Sequence, residues 1–132
     1  MVNWRTLIIG FILAIVLSEL LGIIGLSMGA AFGLNGGIIG QIIGYLLATI
    51  YIGYSIDGNY INSAIYGAII GFIGGVVSII MLGAIYGTFV VTTGSIMVLA
   101  LQSILYGIVG AIGGIVGFIV SVYFSVKEEP VV

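Results

Sequence analysis

The chain has 132 residues, of which 62% are hydrophobic and 5% charged, with a formal net charge of −2. An ordinary soluble domain carries roughly 25% charged residues, so this chain cannot cover a water-facing surface. With a mean hydropathy of +1.47, it reads as an integral membrane protein, one membrane domain over residues 1–132.

A helix needs about 20 apolar residues to cross the hydrocarbon. Four stretches qualify. The first is expected over about 6–26 and carries one acid, Glu19. The second, about 36–56, has no charge. The third runs over about 61–86. The fourth, about 96–126, is uncharged and longer than one crossing needs, which predicts tilt or a protruding end. A polar tail, 127–132, follows it and is expected to fray. The fold class is therefore all-α: a polytopic membrane protein of four transmembrane helices. A β-barrel would alternate apolar and polar residues, and these stretches are apolar all round. The first stretch also resembles a signal peptide, with Arg5 before Leu7–Leu17. It continues past Glu19 without a clear cleavage site, so a retained helix is expected.

The connections differ in kind. Residues 27–35 are small and apolar, which predicts a turn near the interface. Asp57-Gly58-Asn59-Tyr60 carries a strong Asp-Gly turn signal. Asn59, Asn62 or Ser63 is a candidate cap for the helix that follows. Residues 87–95 are rich in Thr and Gly, with Ser95 as a candidate cap. The only cations, Arg5 and Lys127, stand at the two ends of the chain. The positive-inside rule then places both termini in the cytoplasm of a multi-pass cell-membrane protein. Trp4, Tyr51, Tyr54, Tyr60 and Tyr123 fall near that interface, and Phe32, Tyr86 and Phe89 near the other.

Gly occupies 23 positions, about one in six. The absence of a strict period of three, with Pro130 as the only Pro, excludes collagen. The glycines instead join small residues four apart. The first span carries Gly10, Ala14, Ser18 and Gly22, then Gly25, Gly29 and Gly33. The second carries Gly36, Gly40, Gly44 and Ala48. The third carries Ser63, Gly67, Gly71 and Gly75, then Gly83 and Gly87. The fourth carries Ser103, Gly107 and Ala111, and also Gly113, Gly117, Ser121 and Ser125. Residues four apart share a helix face. Lipid tails are as apolar as Leu, so membrane helices associate by close packing, and small residues permit it. Each Gly costs a helix about 0.8–1 kcal/mol relative to Ala in water. So many of them imply small-xxx-small, glycine-zipper contacts between helices. The stripes exceed what one four-helix bundle obviously needs, which predicts a homo-oligomer or a subunit of a larger membrane complex. The segments at Gly36-Gly37, Gly74-Gly75 and Gly113-Gly114 resemble one another. Low complexity explains this as well as duplication of a hairpin does.

Chemistry has little material. There is no Cys and no His. Disulfides, thiolate sites and the usual neutral-pH acid/base are excluded. Two cations form no basic patch, so nucleic acid is not an expected partner. A Ser/Lys dyad would need Lys127, which lies in the tail. A metal site would have to be built from Glu19 and amides, far short of a hard-cation shell. Neither an enzyme nor a cofactor is expected.

The polar residues inside the spans are the candidate site. Glu19 is the one ionisable group well inside a span, about 20 Å along the helix from Thr6. It borders the small-residue groove, about 60° round from Gly22. An intramembrane acid is costly and by default a functional candidate. It reads as an ion or proton site, or as a hydrogen-bonded group that fixes helix pairing. Gln41 and Gln102 read as interhelical glue or as a polar path shared with Glu19. Ser18, Ser78, Ser103 and Ser121 are expected to bond their own helix backbones. Tyr45, Tyr66 and Tyr106 lie deeper than the aromatic belts and read as packing. Asp57 reads as a turn residue, and Glu128 and Glu129 as a solvated tail.

Val2-Asn3-Trp4-Arg5 leads directly into an Ile/Leu/Gly helix, and the block Gly36–Gly75 sets two Gly-striped helices around an Asp-Gly-Asn turn. Together these resemble small uncharacterised glycine-rich membrane proteins of methanogenic archaea, grouped as a domain of unknown function. The resemblance implies an archaeal cell membrane and four helices. It carries no activity and no catalytic residue. The Gly stripes are also similar in composition to bacterial glycine-zipper membrane proteins. Two functions follow as expectations: a structural or interaction protein assembling through its Gly stripes, or a small ion or proton channel or carrier built on Glu19, Gln41 and Gln102.

Overall fold

The structure, a computed structural model, describes residues 3–32, 35–56, 58–86 and 93–128. It is all-α. Helix α1 covers Trp4–Phe32, α2 Gly36–Ser55, α3 Tyr60–Tyr86 and α4 Thr93–Glu128. Each is long and apolar enough to cross a membrane.

Two boundaries differ from the sequence reading. α1 continues through the small residues after Leu26 to Phe32. Gly and Ala permit a turn but do not break a helix, and no Pro stops this one. α4 begins at Thr93 and ends at Glu128, so Ser95 lies inside the helix and the first two tail residues continue it. Asp57, residues 87–92 and residues 129–132 lie outside the described residues. Of the cap candidates before α3, Asn59 takes the role: its Oδ1 accepts the Asn62 amide at 2.9 Å. Asn3 does the same for α1, accepting the Thr6 amide at 3.3 Å.

α1 and α2 form one antiparallel hairpin, and α3 and α4 form a second. The hairpins join mainly through α2 against α4. α3 makes smaller contacts with α1 and α2, while α1 and α4 do not meet among the described residues. The buried apolar core is Ala14, Tyr45, Ala48, Ile52, Ile70 and Tyr106. The outer faces expose Ile, Leu, Val and Phe, as lipid requires and water would penalise.

The glycines fix the register of each pair. A Cβ on Gly40 would strike the Leu21 carbonyl of α1, and one on Gly44 would stand 2.5 Å from the Ser18 Cα. Gly25 and Gly36 face each other's carbonyls. In the second hairpin, Gly67 meets Gly110 and Gly71 meets the Tyr106 carbonyl. Gly75 stands against the Tyr106 ring and Ser103. Between hairpins, Gly113 faces Thr49 and Leu46, and Gly117 faces Ile50 and Tyr54. Gly10 meets the side chains of Ile52 and Ile70, and Gly22 meets Gln41. Gly107 differs: a Cβ there would be 3.5 Å from the Phe72 Cβ, an ordinary contact. Gly53, Gly74, Gly110 and Gly114 stand outside the expected stripes yet are as tightly placed. Gly110 and Gly114 are themselves four apart, so the spacing rule offered that signal.

The three Gly-Gly segments have unrelated surroundings. Gly36 faces α1, Gly74 faces the Tyr45 ring, and Gly113 faces the Thr49 hydroxyl. Shared composition accounts for them better than a shared structural role.

Candidate intramembrane polar site

The core of this apolar bundle holds a polar cluster. α4 contributes Gln102 and Tyr106, four residues apart and so on one face. α2 contributes Gln41 and Tyr45, which are also four apart. Gln102 Nε2 donates to the Tyr106 hydroxyl at 3.0 Å. That hydroxyl donates in turn to Gln41 Oε1 at 2.7 Å. Tyr45 and Tyr106 stack, with ring centroids 4.6 Å apart. The Tyr45 hydroxyl shares a 2.8 Å hydrogen bond with Ser78 Oγ of α3. Residues from α2, α3 and α4 are thus tied together at one level.

Glu19 supplies the α1 side. It follows Ser18, against whose backbone Gly44 of α2 packs. Its Oε1 is buried and receives no hydrogen bond. The Gln41 side chain lies over Gly22, three residues from Glu19: a Cβ on Gly22 would be 2.9 Å from Gln41 Cγ and 3.5 Å from Nε2. A larger residue at position 22 would displace this amide.

Gln41 and Gln102 therefore gather around Tyr106, and Glu19 lies one helical turn from the Gly22 that Gln41 covers. Gln41 and Gln102 are joined through Tyr106 rather than directly. The cluster sits towards the end where α2 and α4 begin, about 8 Å along α2 from Gly36. Tyr45 and Tyr106 were read from sequence as packing residues. They do pack, and their hydroxyls also carry the network. Polar groups inside an apolar helix are expected to find partners, so the hydroxyls were a signal.

Ser18, Ser103 and Ser121 bond their own helices at Ile15, Leu99 and Phe118, as sequence predicts. Ser78 departs from that pattern by reaching Tyr45. Ser63 Oγ is buried with no hydrogen-bond partner. The Tyr66 hydroxyl accepts the Asn3 amide at 2.8 Å, so it ties α3 to the start of α1 while the residue packs against the core. Among the described residues no three His, Cys, Asp or Glu gather as metal ligands.

The match to a family model covers residues 4–120, which takes in α1, α2, α3 and α4 as far as residue 120. The chain belongs to DUF5518, a family of unknown function. Comparison with curated proteins and with solved structures found no match. Membership supports a membrane protein of unknown activity, and the polar cluster lies within the matched segment.

A double-mutant cycle tests the Tyr45–Ser78 link. Interhelical hydrogen bonds in membranes average about 0.6 kcal/mol, with a maximum near 1.7. Tyr45→Phe and Ser78→Ala are each expected to destabilise the bundle, and the double variant by less than their sum. Strict additivity in reversible unfolding would show that the two hydroxyls do not act together.

Proposed function

We propose that this DUF5518 member is a structural or interaction protein of the cell membrane, assembling through glycine-lined helix contacts of the glycine-zipper kind. The observation that supports this is the direct backbone approach at Gly25–Gly36 and Gly67–Gly110. Most stripes are occupied inside the chain, so a surplus of stripes does not by itself supply an oligomer face. Gly107 is the open position. It lies with Ala68 and Ala111 in an apolar groove of about 650 Å³ between α3 and α4, flanked by Phe72, Ile104 and Ile108. In this reading a second copy packs there, as a homo-oligomer or within a larger complex. Both termini face the cytoplasm, on the strength of Arg5 and Lys127, and the setting is the archaeal membrane that the resemblance implies.

The Cys-free sequence makes the test clean. Ala111→Cys in membranes is expected to give a disulfide-linked dimer on oxidation, and Ile119→Cys, outside the groove, much less. Absence of a dimer from both Ala111→Cys and Ala68→Cys would overturn assembly through this face.

A second reading, a small proton or cation channel or carrier, is favoured by one observation: Glu19 has a buried, unpartnered oxygen one turn from the Gly22 that Gln41 covers. Proton flux into liposomes carrying the purified chain is expected to disappear in Glu19→Gln. Absence of flux in the wild type, with the protein folded and inserted, would rule this reading out.

A further inference from the structure

We propose that Glu19 is an intramembrane proton-binding site whose carboxyl pairs with the Gln41 amide when it loses its proton. The inference rests on the second reading only for the residues involved, since a proton site need not conduct.

Three features carry it. The first is the orphaned oxygen: Glu19 Oε1 is buried and unpartnered. An ionised carboxylate is an acceptor only, and a protonated one gains a donor, so the two forms need different partners. A buried acceptor without a donor is costly, and the ionised form has more lone pairs to satisfy.

The second is the direction of the hydrogen-bond chain. Gln102 donates to Tyr106, and Tyr106 donates to Gln41 Oε1. This fixes which end of the Gln41 amide is committed. Nε2 is the end turned towards α1, lying over Gly22. Glu19 and Gly22 are three residues apart, so the amide lies within one turn of the carboxyl. In this proposal Nε2 is the donor that turns to the ionised carboxyl while Oε1 keeps its bond to Tyr106.

The third is isolation. The titratable groups of the packed helices in this cluster are Tyr45 of α2 and Tyr106 of α4, and α3 contributes the Ser78 hydroxyl through Tyr45. Arg5 stands about 21 Å away along α1. No cation among the described residues offers Glu19 a permanent partner, so the neutral amide is the available donor.

The test uses the full chain in liposomes and dicyclohexylcarbodiimide. This lipid-soluble reagent adds to a protonated carboxyl: the acid proton goes to one nitrogen, and the acyl group ends on the other as a stable acylurea. Glu19 sits at the bundle's partly exposed face, within reach of a reagent dissolved in lipid. Mapping by mass spectrometry is expected to place the adduct on Glu19, with yield falling as pH rises. In parallel, infrared difference spectra between low and high pH are expected to contain a carboxylic carbonyl band that Glu19→Gln removes. Gln41→Leu is expected to shift the half-labelling point. Absence of both adduct and band over the whole pH range would overturn the proton site. A half-labelling point unmoved by Gln41→Leu would overturn the amide partner. Adduct and band without liposome flux would uphold the site and sink conduction, so the two failures are distinguishable.

Discussion

Gly71→Leu is expected to separate α3 from α4. A Cβ at position 71 points into the Tyr106 carbonyl of the facing helix. The obstruction is backbone, so no side-chain rotation relieves it. One turn away on either side, Gly67 faces the Gly110 carbonyl and Gly75 faces the Tyr106 ring and Ser103. Neither neighbouring turn leaves room to slide. Overpacking in a core ordinarily costs about 1–3 kcal/mol, occasionally more. With close approaches on consecutive turns the expected loss lies at the top of that range, about 3 kcal/mol or beyond. At RT of about 0.59 kcal/mol this is more than a hundredfold in the folding equilibrium. Reversible unfolding in mixed micelles would measure it. Gly107→Ala is the internal comparison. Its Cβ would make only an ordinary contact with Phe72, and Ala is the better helix former by about 0.8–1 kcal/mol. It is expected to be neutral or stabilising. Similar losses from both variants would show that Gly71 does not hold the hairpin interface.

Hydropathy made the four helices legible because a span must be apolar along its whole length, a condition read without knowing the partner helix. The ends of α1 were less legible. Residues 27–32 are small and flexible in composition, and Gly36 of α2, which faces Gly29, gives that extra length something to pack on. Gln41, Gln102 and Glu19 stood out as polar groups where lipid penalises them. The roles of Tyr45 and Tyr106 did not. A tyrosine within an aliphatic run satisfies the packing pattern whatever its hydroxyl does. Whether that hydroxyl meets Gln41 depends on the register of α2 against α4, which are not consecutive in the chain. Register was likewise hidden for the glycines. The spacing marks a face of a helix, and it does not say which neighbour covers it, so the stripe through Gly113 and Gly117 does not reveal that Gly110 and Gly114 pack as closely.

Tyr106 is expected to be the residue at which packing and polarity can be measured apart. It is fully buried, it stacks on Tyr45, and its hydroxyl both receives from Gln102 and donates to Gln41. Tyr106→Ala removes all of this and leaves a hole facing Gly75 and Tyr45. Aromatic-to-Ala changes in cores cost about 3–5 kcal/mol, and that loss is expected here. Tyr106→Phe keeps the stack and the wall against Gly75, and it removes only the hydroxyl. Two hydrogen bonds at about 0.6 kcal/mol each predict a loss near 1 kcal/mol. The Phe variant should therefore fold, with Gln41 Oε1 released from its anchor. A released amide is free to present either end to α1, so the pH dependence of Glu19 labelling is expected to change in Tyr106→Phe. Tyr45→Phe leaves the Gln102–Tyr106–Gln41 chain intact and serves as the comparison. A change in Tyr106→Phe that exceeds the one in Tyr45→Phe would tie Glu19 to the network through Gln41. Equal changes would mean that both rings act on Glu19 simply by their nearness, and the directional chain would then have no part in it.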